Sequence, residues 1–88
     1  MIYKFSAEYK DGKLLFTDIY EKDNLEGVPV SEDRVGVIIV PHFKQIHFIC
    51  KNLNVLNAFS SGMWEAMQIQ KLSPEEYFKE YAEKLTDE

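Results

Sequence analysis

Apolar and polar residues alternate through MIYKFSAEYKDGKLLFTDIYE, residues 1 to 21, on both sides of Asp11-Gly12. Alternation of period two puts successive side chains on opposite faces of a strand. Asp-Gly is favoured at two-residue hairpin turns, whose central positions both need positive φ. The segment therefore predicts a β-hairpin in which Lys10 faces Lys13, Tyr9 faces Leu14, Ala7 faces Phe16, Phe5 faces Asp18 and Tyr3 faces Tyr20. One face then carries Tyr3, Phe5, Ala7, Tyr9, Leu14, Phe16 and Tyr20, and the other Lys4, Ser6, Glu8, Thr17, Leu15 and Ile19. A three-residue bulged loop would slide this register by one.

Residues 22 to 34, KDNLEGVPVSEDR, with Gly27 and Pro29, read as a connecting loop holding at most a short edge strand over 28 to 30. VGVIIV, residues 35 to 40, is apolar on both faces, as in a central strand or a strand at a subunit interface. Pro41 ends it, and IHFIC at 46 to 50 is the antiparallel return. LNVLNAF, 53 to 59, fits a helix through Leu53 and Leu56 or a strand through Leu53, Val55 and Phe59. The preferred reading is strand or irregular chain to Phe59, then a helix capped by Ser60 or Ser61 with Met63, Met67 and Trp64 turned inward. Ser73-Pro74-Glu75-Glu76 is a capping box with proline at the first helical position. It opens a helix predicted from Pro74 to Thr86 that buries Phe78, Tyr81 and Leu85, with Tyr77 and Ala82 at its margins.

This order predicts an α+β fold: an antiparallel sheet of four or five strands built from two hairpins, with one or two C-terminal helices packed on one face. A single domain spans 1–88, strand-rich over 1–51 and helical over 60–86. An apolar content of 45% in 88 residues argues against disorder. One cysteine forms no internal disulfide, and no secretory signal or membrane-length apolar run is visible, so the expected compartment is the cytoplasm. Fifteen acidic against ten basic residues, with Arg34 the lone arginine, disfavour direct nucleic-acid binding.

Candidate chemistry concentrates in VGVIIVPHFKQIHFIC, 35 to 50. His42, His47 and Cys50 offer residue types that zinc accepts, but alternation from Ile46 to Cys50 sends His47 and Cys50 to opposite faces, where they cannot share an ion. No metal or cofactor is expected. Asp18, set among aromatics by the predicted register, joins His42 and His47 as the basis of an alternative small-molecule-binding or enzymatic reading. SSGMW, 60 to 64, resembles a helix entry able to hold an anion, without the residues of a phosphate loop.

On the predicted last helix Glu76, Glu80, Glu83 and Asp87 fall on one narrow face, with Tyr77 beside them. Such a row suits a basic surface on another protein. The expected function is therefore a non-catalytic, acidic protein-binding module, a regulator or inhibitor of the kind phages direct at host nucleic-acid or defence enzymes. Trp64, Met63 and Met67 supply a further apolar surface, for a homodimer seam or a ligand, and self-assembly as a structural subunit is a third reading.

Overall fold

A computed structural model describes residues 1–23 and 30–87. The expected short strand over 28 to 30 falls almost wholly outside the described residues. Strands β1 (Ile2–Lys10), β2 (Lys13–Phe16), β3 (Tyr20–Lys22), β4 (Gly36–Val40) and β5 (Gln45–Cys50) precede helices α1 (Leu53–Gln68) and α2 (Pro74–Tyr81), and strand β6 (Glu83–Asp87) follows them. The sheet runs β2-β1-β5-β4-β6, with β3 continuing the β2 edge against β1, and it is antiparallel except where β6 lies parallel to β4. The fold is α+β, from two hairpins with helices on one face.

The first hairpin turns at Asp11 (φ 53°) and Gly12 (φ 76°), and the expected pairs Lys10 with Lys13, Tyr9 with Leu14 and Ala7 with Phe16 all form. Beyond Phe16 the register slips by one residue, so Lys4 faces Tyr20 and Tyr3 faces Glu21. The predicted pairs of Phe5 with Asp18 and Tyr3 with Tyr20 are therefore corrected. At the slip, Thr17 N–H donates to the Ser6 carbonyl (2.9 Å), while Ser6 N–H donates to Thr17 Oγ1 (2.9 Å) in place of a ladder carbonyl. The irregularity leaves Asp18 exposed instead of set against Phe5, where an unpaired carboxylate would be costly to bury.

The cap of α1 lies eight residues before Ser60 and nine before Ser61, the two expected positions. Asn52 is the cap, its Oδ1 accepting from the amides of Asn54 (2.9 Å) and Val55 (3.4 Å). Leu56, Phe59, Met63 and Ala66 are the buried face, a three-and-four spacing that overrides the brief alternation of Leu53, Val55 and Phe59. Ser60 to Gly62 thus lie inside the helix, where amides serve the helical ladder. The anion-holding entry read into SSGMW does not exist.

The capping box forms as expected: Ser73 Oγ–H donates to Glu76 Oε1 (3.1 Å) and Glu76 N–H donates to Ser73 Oγ (3.3 Å). The helix it opens stops at Tyr81, not Thr86. Ala82 is buried, Glu83 N–H donates to the Val35 carbonyl (3.0 Å), and the chain continues as β6. Open backbone groups along the outer side of β4 outweigh helix propensity over these five residues. VGVIIV is accordingly central, flanked by β5 and β6.

The core lies between the sheet and the helices. Phe5 stacks on Phe48 across neighbouring strands (centroids 4.5 Å, planes 17° apart), and Phe48 meets Phe59 of α1 at 5.6 Å. Ala7, Val35, Val37, Ile46, Cys50, Leu56 and Met63 close around them. Cys50 is a buried thiol whose Sγ donates to the Ser31 carbonyl (3.3 Å).

Gly36 lies beneath Leu85: a Cβ there would approach Leu85 Cδ1 to 2.6 Å. Gly36→Ala should therefore cost about 1–3 kcal/mol by forcing the Leu85 side chain out of its place over β4. Urea denaturation should show this cost shrinking in a Leu85→Ala background, and equal costs in the two backgrounds would mean that the residues are not in contact.

Candidate functional site

The aromatic contacts do not stop at the core. Phe59 meets Tyr77 of α2 at 5.2 Å, and Tyr77 meets Tyr81 one helical turn on at 4.7 Å. Tyr77 is half-buried and Tyr81 is 55% exposed, so the row of rings emerges at the surface between the two helices. There a cleft of about 360 Å³ opens, with Glu65 and Gln70 on the α1 side and Glu80 and the two tyrosines on the α2 side. Gly62 makes the close approach feasible, because a Cβ at that position would collide with the Tyr77 hydroxyl. Leu72 and Ala66 complete the lining, and no basic residue is among the described residues that form it.

Burial first, then the neighbouring Tyr81 and the Glu65 carboxylate, raise the Tyr77 pKa above its ordinary value of 10.0. The physical content is that this cleft disfavours added negative charge. The charges at the cleft that would attract a cation are the Glu65 and Glu80 carboxylates.

The acidic row expected along one helix is broken by the end of α2. Glu76 and Glu80 sit on α2, and Glu76 is engaged with the Ser73 cap; Glu83 and Asp87 belong to β6 and do not extend the helical face. Glu80 and Tyr77 remain together in the cleft. Tyr81, expected inside, is outside, while Ala82, expected at the margin, is buried. Ending the helix at Tyr81 sets the two residues differently: Ala82 is the link that turns the chain onto the sheet. Glu65 was missed because it lies on a different helix, and no spacing links it to Glu80. The one usable signal was Gly62 within a helix, which marks close packing.

Trp64 is 59% exposed on α1, whereas Met63 is buried in the core and Met67 is half-buried. This corrects the expected surface: the Met63, Trp64, Met67 cluster presents chiefly Trp64. The inward Trp64 is corrected with it.

A second cleft, of about 280 Å³, opens on the sheet face away from α1, beside the register slip. Ser6 Oγ and His47 Nδ1 share a hydrogen bond of 2.7 Å there, with direction set by the imidazole tautomer. Thr17, Gln45, Glu8 and Leu15 line the same space. Neither Asp18 nor His42 does. His42 is exposed in a 3-10 turn, edge-on to Phe43 (5.0 Å), so the structure does not gather Asp18, His42 and His47 into this cleft. Register places His47 on the face opposite Phe48 and Cys50's core side, as alternation requires. Among the described residues, no three His, Cys, Asp or Glu side chains converge as metal ligands, and no helix is long and apolar enough to cross a membrane.

Set beside protein families, curated proteins and solved structures, the chain matches none.

The raised Tyr77 pKa has a stability consequence. As pH rises through 10.0 the unfolded chain releases this phenolic proton before the folded one does, so stability should fall from there until the native group also ionises. Tyr77→Phe should flatten that decline in denaturation midpoints measured from about pH 9 to about pH 11. An unchanged decline would show that other groups produce it.

Proposed function

We propose that this protein is a non-catalytic binding module, a small acidic regulator or inhibitor that acts by contact with another protein bearing a basic surface. The observation that carries the reading is the cleft between α1 and α2, where Glu65 and Glu80 flank Tyr77 and Tyr81 without an accompanying lysine or arginine among the described residues. The chain's net charge of −5 adds a long-range field of the same sign, which speeds encounter with a basic partner. Exposed tyrosine beside carboxylate is a composition suited to protein contacts, since an aromatic ring supplies area at low entropy cost and the charges set orientation.

A second reading rests on the Ser6–His47 cleft, whose polar floor and Leu15 wall suit a small ligand. It narrows the enzymatic or ligand-binding alternative to His47 with Ser6, because Asp18 and His42 lie elsewhere. A small-molecule fragment screen followed by NMR would support it through saturable shifts confined to Ser6, Thr17 and His47 that disappear in Ser6→Ala.

The primary reading is tested by charge reversal at exposed positions. Glu65→Lys with Glu80→Lys should keep the fold and weaken capture of a lysate partner by about tenfold or more. Glu21→Lys with Glu32→Lys, which changes net charge equally, should have a much smaller effect. Equal losses from both pairs would assign recognition to the overall field and remove the cleft from it.

A further inference from the structure

The α1–α2 cleft is more selective in its chemistry than an acidic surface. Two tyrosine rings line it, their centroids 4.7 Å apart and their planes inclined by 36°. Its carboxylates come from different helices, Glu65 on one side and Glu80 on the other. A lysine ammonium is a compact, strongly hydrated point charge that gains little from a flat ring. A guanidinium is planar, weakly hydrated, stacks on aromatic faces and presents donors along several edges at once. A space of about 360 Å³ accepts one long side chain and is too small for a folded element.

We infer that the cleft is a receptor for a single arginine side chain of the partner, its guanidinium stacked against Tyr81 and donating towards Glu65 and Glu80. The inference rests on the protein-binding reading above and names what that site recognises. Two independent features carry it, the paired tyrosine rings in the lining and the carboxylates divided between two helices; either alone would describe an ordinary helix surface.

Glu65, Glu80 and Tyr81 are exposed, so the isolated side chain should bind weakly, with a Kd on the order of millimolar. The test titrates the intact protein with three blocked tripeptides that differ only at the central residue, arginine, lysine or citrulline, and follows the tyrosine ring resonances by NMR. The arginine peptide should give saturable shifts at Tyr77 and Tyr81. The lysine peptide should bind at least about threefold more weakly and the citrulline peptide hardly at all. Glu80→Gln should weaken arginine binding, and Tyr81→Leu should reduce the preference for arginine over lysine.

Equal binding of arginine and lysine, or shifts that miss the tyrosines, would overturn the inference. Absence of binding by all three peptides would overturn it too, and would leave the protein-binding reading standing if the Glu65 and Glu80 reversals still abolish partner capture. Saturable arginine binding combined with unaffected partner capture would do the reverse, keeping the cleft as an arginine site and removing it from the partner contact.

Discussion

The stacking of Phe5 on Phe48, and of that pair against Phe59, ties the sheet's two hairpins and its main helix to one another. Phe5 comes from the first hairpin, Phe48 from the second and Phe59 from α1, so one row of rings runs through all three units. Each buried phenylalanine contributes about 1.5–3 kcal/mol through removal from water, and suitably inclined ring pairs add about 0.5–1.5 kcal/mol. Position matters more than sum here. The rings fix where α1 crosses the sheet, and that crossing fixes where α2 can lie. Tyr77 and Tyr81 continue the same row, which makes the cleft between the helices an extension of the core and not a separate ornament. Its shape is inherited from packing that the fold cannot relax.

The two ends of this row differ in character. At one end Phe16, half-exposed at the sheet edge, meets Phe5 at 6.4 Å on the first hairpin. At the other, Tyr81 is surrounded by carboxylates and an amide. Phenol oxygens allow the second end to face water without loss, since a tyrosine keeps its hydroxyl hydrated while its ring remains available for contact. Burial within the described core involves no charged or polar side chain.

Much of the first half was legible because its signals are local. Asp11-Gly12 specifies the turn, and the pairs nearest it follow from counting outward. Counting fails at Thr17, whose hydroxyl substitutes for a backbone acceptor; a residue able to replace its own ladder partner breaks the parity on which register inference depends. Asp18 was misplaced for that reason alone. The second half was less legible for two different reasons. Leu53, Val55 and Phe59 fit a strand period, and the Asn52 cap with the longer three-and-four spacing of Leu56, Phe59, Met63 and Ala66 decides for the helix. EKLTD, residues 83 to 87, has ordinary helical composition following a good helix; its strand state is dictated by the vacant side of β4, a demand made by residues far away in sequence. The capping box at Ser73 fixed where α2 begins and carried no information on where it ends. Of the cleft, Glu80 and Tyr77 were visible as helix neighbours, but their meeting with Glu65 depends on how two helices cross, which the pattern within either helix does not encode.

During synthesis from the N-terminus the parallel pairing of β6 with β4 comes after the pairing of the two hairpins. Both hairpins close from contacts a few residues apart, and they can meet through β1 and β5 as soon as the first fifty residues are available. β4 then waits with one side unprotected until α1 and α2 have folded back and delivered residues 83 to 87. During that interval an apolar run, GVIIV, is the outermost strand of a nascent sheet, the kind of ribbon to which stray chains adhere. Strand β6 therefore serves as a latch on a surface that is sticky only while translation is incomplete.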